Sequence, residues 1–270
     1  MTRLFLLLAL ALAPVAHAAG DDAAAGGGAA ATAAPSHDQL VAMLKTVDDR
    51  QRNNGDYKAL TFIQRKEKGQ SDLVYQALIY RRDADDKLEI LFTKPQSEAG
   101  KGYLRLDDNL FFYDPSVGRW ERRTNRERIG GTNSQQQDFD QSTLATDYEP
   151  TWDGLESLGQ YQVDHLSLGA HDGADVAYPT VQVWLDHDTG NLLKRQDFAL
   201  SGRLMRTTYY PKWEKLYSES KDADVYFPKE IRIFDEVQKG NSTTVVIQQV
   251  DLSPLPENIF TKAWLESKSR

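Results

Sequence analysis

The chain has 270 residues, 40% of them hydrophobic and 10% aromatic, which is enough for a sizeable core and excludes wholesale disorder. Its net charge is −8, whereas general nucleic-acid binders are usually basic, so no nucleic-acid partner is expected. There is no cysteine, which excludes disulfides, thiolate metal sites, iron–sulfur clusters, thiol nucleophiles and Cys-anchored lipids.

Arg3 precedes an apolar run from Leu4 to Ala13, Pro14 breaks it, and Ala16-His17-Ala18 fits a small-x-small cleavage site. Residues 1–18 therefore read as a secretory signal peptide. The run falls short of the roughly 20 residues that cross a bilayer. After cleavage the protein is expected to be soluble, outside the cytoplasm, and to touch membranes only transiently. Residues 19–35 are nearly all Ala, Gly and Asp, with Gly26 to Gly28 consecutive, and read as a flexible tether. Residues 36–270 are expected to form one domain.

Ser36 suits a helix N-cap, and Leu40, Val41, Leu44 and Val47 make an apolar stripe that ends before Asn53-Asn54-Gly55. From Tyr57 the rhythm becomes that of strands, expected near Ala59–Lys66, Leu73–Arg81, Lys87–Thr93, Gly102–Leu106, Asn109–Tyr113 and Arg119–Arg122. Asp107-Asp108 and Pro115 to Gly118 read as hairpin turns, so the sheet is antiparallel. Between Arg123 and Gly159 the strand rhythm stops, with a short helix expected inside Asp140 to Tyr148. So long an excursion is either a functional lid or a plain surface insertion. Strands resume at Tyr161–Leu168, Thr180–Asp186, Leu192–Leu200, Arg203–Tyr210, Lys229–Val237 and Thr243–Asp251. The tail around Pro256 to Phe260 is expected to dock on the sheet, with a brief helix at Thr261 to Leu265.

Reaction chemistry is not legible. His37, His165, His171 and His187 form no pair at metal-ligand spacing. No GxSxG elbow occurs, and no spacing singles out a carboxylate pair. Gly100-Lys101-Gly102 lacks the rest of a phosphate loop and reads as backbone freedom at a strand entry. His187, between Asp186 and Asp188, reads as part of a solvated turn. Asn241-Ser242-Thr243 matches a glycosylation sequon only weakly. No cofactor, metal or enzymatic activity is expected.

Two features point to binding instead. Several strands are apolar on both faces: Leu110 and Phe112 alternate with Phe111 and Tyr113, and Leu88, Ile90 and Phe92 alternate with Glu89, Leu91 and Thr93. Such a sheet is covered twice or holds something. A concave sheet around an apolar hollow and a closed, side-chain-filled barrel both satisfy this pattern. Second, five arginines (119, 122, 123, 126 and 128) crowd around Trp120 in an otherwise acidic chain. They suit anionic oxygens or a docking partner, or form a solvated Arg–Glu ladder.

The segments Glu89 to Pro95, Gly100-Lys101-Gly102-Tyr103-Leu104 and Leu110 to Pro115 with Gly118-Arg119 follow a recognisable order. It resembles the "xKP, GxGYL, LxxYDPxxGR" series of LolA-like outer-membrane lipoprotein-sorting proteins. Asp138-Phe139-Asp140-Gln141-Ser142 resembles that group's acidic-aromatic segment before a short helix. The resemblance implies a mainly β fold with few helices: a curved antiparallel sheet forming an incomplete, half-open barrel with a helical lid. It implies a periplasmic carrier for acyl chains of lipoproteins or phospholipids, loaded from an inner-membrane ABC-type exporter. An envelope-stress sensor or scaffold that binds a protein partner is the alternative on the same fold. The arginine-rich hairpin has no counterpart in the standard lipoprotein chaperone. On the carrier reading, Leu91, Phe92, Leu104, Phe111, Tyr113, Trp120 and Trp184 are expected to line the hollow. Arg119, Arg122 and Arg123 are expected to meet a head group or a partner. The Arg123–Gly159 excursion and the first helix are the expected lid.

Overall fold

Ser36 and Gln39 open the first helix, α1 (His37–Arg52), with a reciprocal capping box. Gln39 N–H donates to Ser36 Oγ at 3.4 Å, and Ser36 N–H donates to Gln39 Oε1 at 2.7 Å. The computed structural model describes residues 33–52, 55–106, 109–123, 128–134 and 142–269. The signal peptide, most of the tether, the Asp107-Asp108 turn, Arg126 and nearly all of the Asp138 to Ser142 segment lie outside these residues.

Among the described residues, thirteen strands follow α1 in a single sheet. They are β1 (Asp56–Lys66), β2 (Leu73–Arg82), β3 (Lys87–Lys94), β4 (Gly102–Leu106), β5 (Asn109–Asp114) and β6 (Arg119–Arg123), then β7 (Tyr148–Leu158) and β8 (Tyr161–Ala170). The remainder are β9 (Thr180–Asp186), β10 (Leu192–Phe198), β11 (Leu204–Ser218), β12 (Ala223–Asp235) and β13 (Ser242–Asp251). A one-turn helix, α2 (Leu144–Asp147), precedes β7, and α3 (Lys262–Lys268) ends the chain. The expected strands are all present, with β11 and β12 longer than anticipated.

One expectation is corrected. Tyr148–Leu158, assigned to the polar excursion, is a full edge strand. It carries Pro150 and a bulge between Trp152 and Gly154, features tolerated at an edge where one side of the ladder is free.

The spatial order is β6-β5-β4-β3-β2-β1-β13-β12-β11-β10-β9-β8-β7, antiparallel throughout and not closed. The chain enters in the middle, walks to the β6 edge, crosses to the β7 edge, and walks back to meet β1 at β13. The sheet is strongly curved. Helix α1 touches both β7 and β12, five strand steps apart. That path is about 24 Å at ~4.8 Å per step, which matches the length of the 16-residue helix at ~1.5 Å per residue, so α1 lies across the strands. His37 at its start meets Glu149 of β7 at 3.2 Å, and Arg50 near its end lies 4.5 Å over the Tyr226 ring of β12.

Register divides the residues between two faces. The concave face carries one apolar cluster on β1–β5, β12 and β13, and a second where Leu40, Leu44 and Val47 of α1 pack on Leu166, Leu168, Val181, Val183 and Leu185. Asp48 fastens the second. Its Oδ1 accepts from Leu144 N–H at 2.9 Å and Ser142 Oγ at 2.5 Å, and its Oδ2 accepts from Ala145 N–H at 2.8 Å. One carboxylate of α1 thus caps α2 and pins the chain where it enters β7. On the convex face, the C-terminal segment covers β2–β6.

Candidate functional site

Four aromatic rings cross the concave face in a row. Cross-strand pairing puts Ala77 opposite Phe92, Ile90 opposite Tyr103, and Tyr103 opposite Phe112. Tyr75, two residues from Ala77, shares that parity. The ring centroids step by 5.4 Å from Tyr75 to Phe92, 6.2 Å from Phe92 to Tyr103 and 4.9 Å from Tyr103 to Phe112. Ile63, Ile79, Ile90, Phe227 and Ile247 extend the surface into one apolar cluster.

A strap, residues 128–134, lies over this row. Its Ile129 is buried in the cluster. Gly130 has φ 59° and Gly131 φ 67°, the left-handed region that favours glycine. A side chain on Gly130 would also sit 3.1 Å from Phe92 Cζ. Two tyrosine hydroxyls grip Gly130: Tyr75 donates to its carbonyl at 2.8 Å, and Tyr103 accepts from its N–H at 2.9 Å. Burial pushes the Tyr75 hydroxyl above its ordinary pKa, so it remains a donor at neutral pH. At the strap's ends Asn133 N–H donates to Thr243 Oγ1 at 2.8 Å, and Arg128 Nη2 meets Asp235 Oδ2 at 3.1 Å. The strap therefore bridges β2, β4, β12 and β13 by a handful of polar contacts over an apolar bed.

The expected lining residues do not share a face. Phe92 is on the concave side, in contact with the strap. Register turns Leu91, Leu104, Phe111, Tyr113 and Trp120 to the convex side. There Leu104, Tyr113 and Trp120 pack with Ile259, Phe260 and Leu265 of the tail. Trp184 is convex too, since its neighbours Val183 and Leu185 point at α1. It stacks on His165 at 4.2 Å and donates to Glu156 Oε2 at 3.0 Å, with Lys194 Nζ 3.5 Å above the ring. The alternation was legible, but parity was not. Both faces of β3 and β5 are apolar, because one packs under the strap and the other under the tail.

Of the basic cluster, Arg119 and Arg123 share the concave parity at the β6 edge, while Arg122 pairs with Phe111 and faces outward. Arg123 Nη2 lies 2.9 Å from Glu121 Oε2, and its guanidinium is 4.8 Å from the Phe112 ring centre. A cavity of about 490 Å³ opens elsewhere, between the β1–β2 and β12–β13 turns, lined by Glu67, Lys68, Gln238, Lys239 and Asn241. Its polar walls do not suit a hydrocarbon chain. Sequence reading missed Tyr75, Tyr103, Thr243 and Asp235 as strap anchors. Only Gly130-Gly131 signalled the strap.

A thirteen-strand, unclosed antiparallel sheet, curved round a helix and a strap, defines the LolA-like fold class. The structure is similar to a LolA superfamily protein from Nitrosomonas europaea, with a TM-score of 0.66, 21% identity, and coverage of 83% of this chain and 98% of that one. It is similar to an outer membrane lipoprotein-sorting protein domain described from Vibrio parahaemolyticus, with a TM-score of 0.72, 18% identity, and coverage of 86% and 100%. A DUF1329 family protein from Desulfovibrio piger gives a TM-score of 0.71 and 16% identity over 84% of this chain and 98% of that one. At these identities the likeness establishes the fold. Residues 84–267 match the model of a family described as an uncharacterized protein, and the chain belongs to that family. No curated protein matches the chain. Among the described residues no helix is long and apolar enough to cross a membrane.

Proposed function

We propose that this protein is a periplasmic carrier whose concave face holds an acyl chain of a lipoprotein or phospholipid for transfer toward the outer membrane. The observation that carries the reading is the strap: a row of aromatic rings covered by a short glycine segment rather than by a second sheet. Burying a methylene is worth about 0.8 kcal/mol, so a sixteen-carbon chain gains on the order of 10 kcal/mol. Displacing the strap gives up four polar contacts, each worth about 1 kcal/mol net. Cargo burial therefore outweighs strap release, and strap reclosure helps expel cargo at the acceptor. Tyr75, Phe92, Tyr103, Phe112 and Phe227 line the path, and Arg119 and Arg123 stand at its edge for an anionic head group. Loading from an inner-membrane ABC-type exporter belongs to the same reading, as does transient membrane contact.

Native mass spectrometry of the mature protein, purified without detergent and followed by lipid extraction, tests this. Bound phospholipid or acylated protein is the expected result. A clean apo mass from several hosts, with no uptake of a fluorescent fatty acid, would sink the carrier and favour a scaffold for a protein partner. Tyr75→Phe with Tyr103→Phe removes two strap contacts of about 1 kcal/mol each, and fatty-acid affinity should then rise about 30-fold, since ~1.4 kcal/mol is a factor of ten. Arg119→Glu with Arg123→Glu should weaken uptake of anionic lipid more than it lowers the melting temperature; unchanged uptake would sink this part.

A further inference from the structure

Glu89 is the least expected residue of the convex face. It is 0% exposed, and neither carboxyl oxygen has a hydrogen-bond partner among the described residues. Register sets it between Tyr80 and Leu104. Both belong to the apolar cluster closed by Ile259, Phe260, Trp264 and Leu265 of the C-terminal segment. Burial pushes its carboxyl up to about 9, so at neutral pH it is a neutral acid in an apolar bed.

The segment above it adds no strand to the sheet and is held by side chains. Leu255 N–H donates to Asp56 Oδ2 at 2.7 Å. Arg82, paired with Asp56, donates to Leu255 O and Glu257. Trp120 Nε1 donates to Glu266 Oε1 at 2.7 Å. Gly102 leaves the space that Leu265 fills, since a Cβ there would lie 2.8 Å from Leu265 Cδ1. A glycine pair that read as backbone freedom thus also serves as the dock for the tail.

We propose that residues 255–268 form a releasable cover that stays on the sheet while Glu89 keeps its proton and lifts when that proton is lost, baring a second apolar face. The physical reason is local. A carboxylate formed beneath the cover has no donor to accept from, and burying such a charge is far costlier than breaking the cover's few attachments. Water reaches Glu89 only if the cover moves. Leu104, Tyr80, Tyr113 and Trp120 would then face solvent or a ligand. The device is separate from the strap and does not depend on what the concave face carries.

Other titrating or charged groups around the cluster are Tyr80 on β2, Tyr113 on β5 and Lys58 on β1, whose Nζ lies 5.6 Å from the Tyr80 ring centre. On the cover, Glu257 pairs with Arg82 and Lys87. Lys262 lies over Phe111 and Trp120, Glu266 accepts from Trp120, and Lys268 lies over Trp264. All of these remain in a Glu89→Gln variant, so only Glu89 distinguishes the two proteins.

The chain has no cysteine, so a nitroxide on an exposed Ser267→Cys reports the cover alone. Its spectrum is followed from pH 7 to 10.5 in the otherwise wild-type chain and with Glu89→Gln, alongside far-ultraviolet circular dichroism. The expected result is a mobile component that grows as pH rises from 7 toward 9 in the former, is absent in the latter, and comes with unchanged sheet signal. Glu89→Leu, a second variant, should also stay immobile. Equal mobilisation with and without Glu89, an immobile label to pH 10.5 in every chain, or loss of sheet signal at the same pH would each overturn the proposal.

Discussion

Glu89 and His187 both hold a proton more firmly in the folded chain than in the unfolded one, for opposite reasons. Glu89 is buried without a partner, which raises its carboxyl from 4.5 to about 9. The folded state therefore binds the extra proton across that interval, and this stability is fully present below about pH 4.5 and lost as pH rises toward 9. In urea titrations, Glu89→Gln should gain on the wild type with rising pH, by up to about 1.4 kcal/mol per pH unit between roughly pH 5 and 8. His187 is half-exposed and raised above 6.5, first by its hydrogen bond to Asp164 at 2.8 Å. Asp164 is itself buried and accepts from Trp152 Nε1 at 3.0 Å. Its contribution is present below about pH 6.5 and fades as pH rises through the raised value. In nuclear magnetic resonance titrations Asp164→Asn should lower the His187 midpoint, with Asp186 and Asp188 still holding it up. An unchanged midpoint would show that Asp186 and Asp188 set it instead. Sequence proximity to those two aspartates was visible; the buried third partner, 23 residues away, was not.

At the scale of elements, short polar contacts decide where apolar pieces sit. Helix α1 was readable from Ser36 and the stripe at Leu40, Leu44 and Val47, because an amphipathic helix writes its period into the chain. That Asp48, on the same helix, caps α2 was not readable, since its partners Ser142, Leu144 and Ala145 lie nearly a hundred positions on. Asp48→Ala leaves two backbone N–H groups unmet and should lower unfolding stability on the order of 2–4 kcal/mol. Asp48→Asn, which keeps an acceptor, should lose about half as much. A loss below ~1 kcal/mol for the alanine variant would mean that water replaces the carboxylate. Strand β7 escaped sequence reading for an edge-specific reason. Tyr148, Pro150 and Trp152 do alternate inward, but Glu149, Asp153 and Glu156 make the stretch as polar as a loop. The same property keeps a free edge from pairing with another chain.

For the whole molecule, the sequence by itself determined the architecture class. Hairpin turns and strand-period hydrophobicity repeat along the chain, and such local signals specify an antiparallel meander without reference to distant residues. It also determined that both faces of β3 and β5 are apolar and so call for a cover or a ligand on each side. The tertiary structure decided which face is which. Parity depends on what arrives from far along the chain: the strap at 128–134 on one side and the tail at 255–268 on the other. So Phe92 alone, of the seven expected lining residues, sits under the strap, while Trp184 lies among His165, Glu156 and Lys194 on the outside. The closure of β1 on β13, the contacts of α1 with β7 and β12, and the burial of Glu89 have the same origin. Each is a non-local pairing whose partners are nearly a hundred or more residues apart, and no periodicity in a single stretch records where its covering segment will come from.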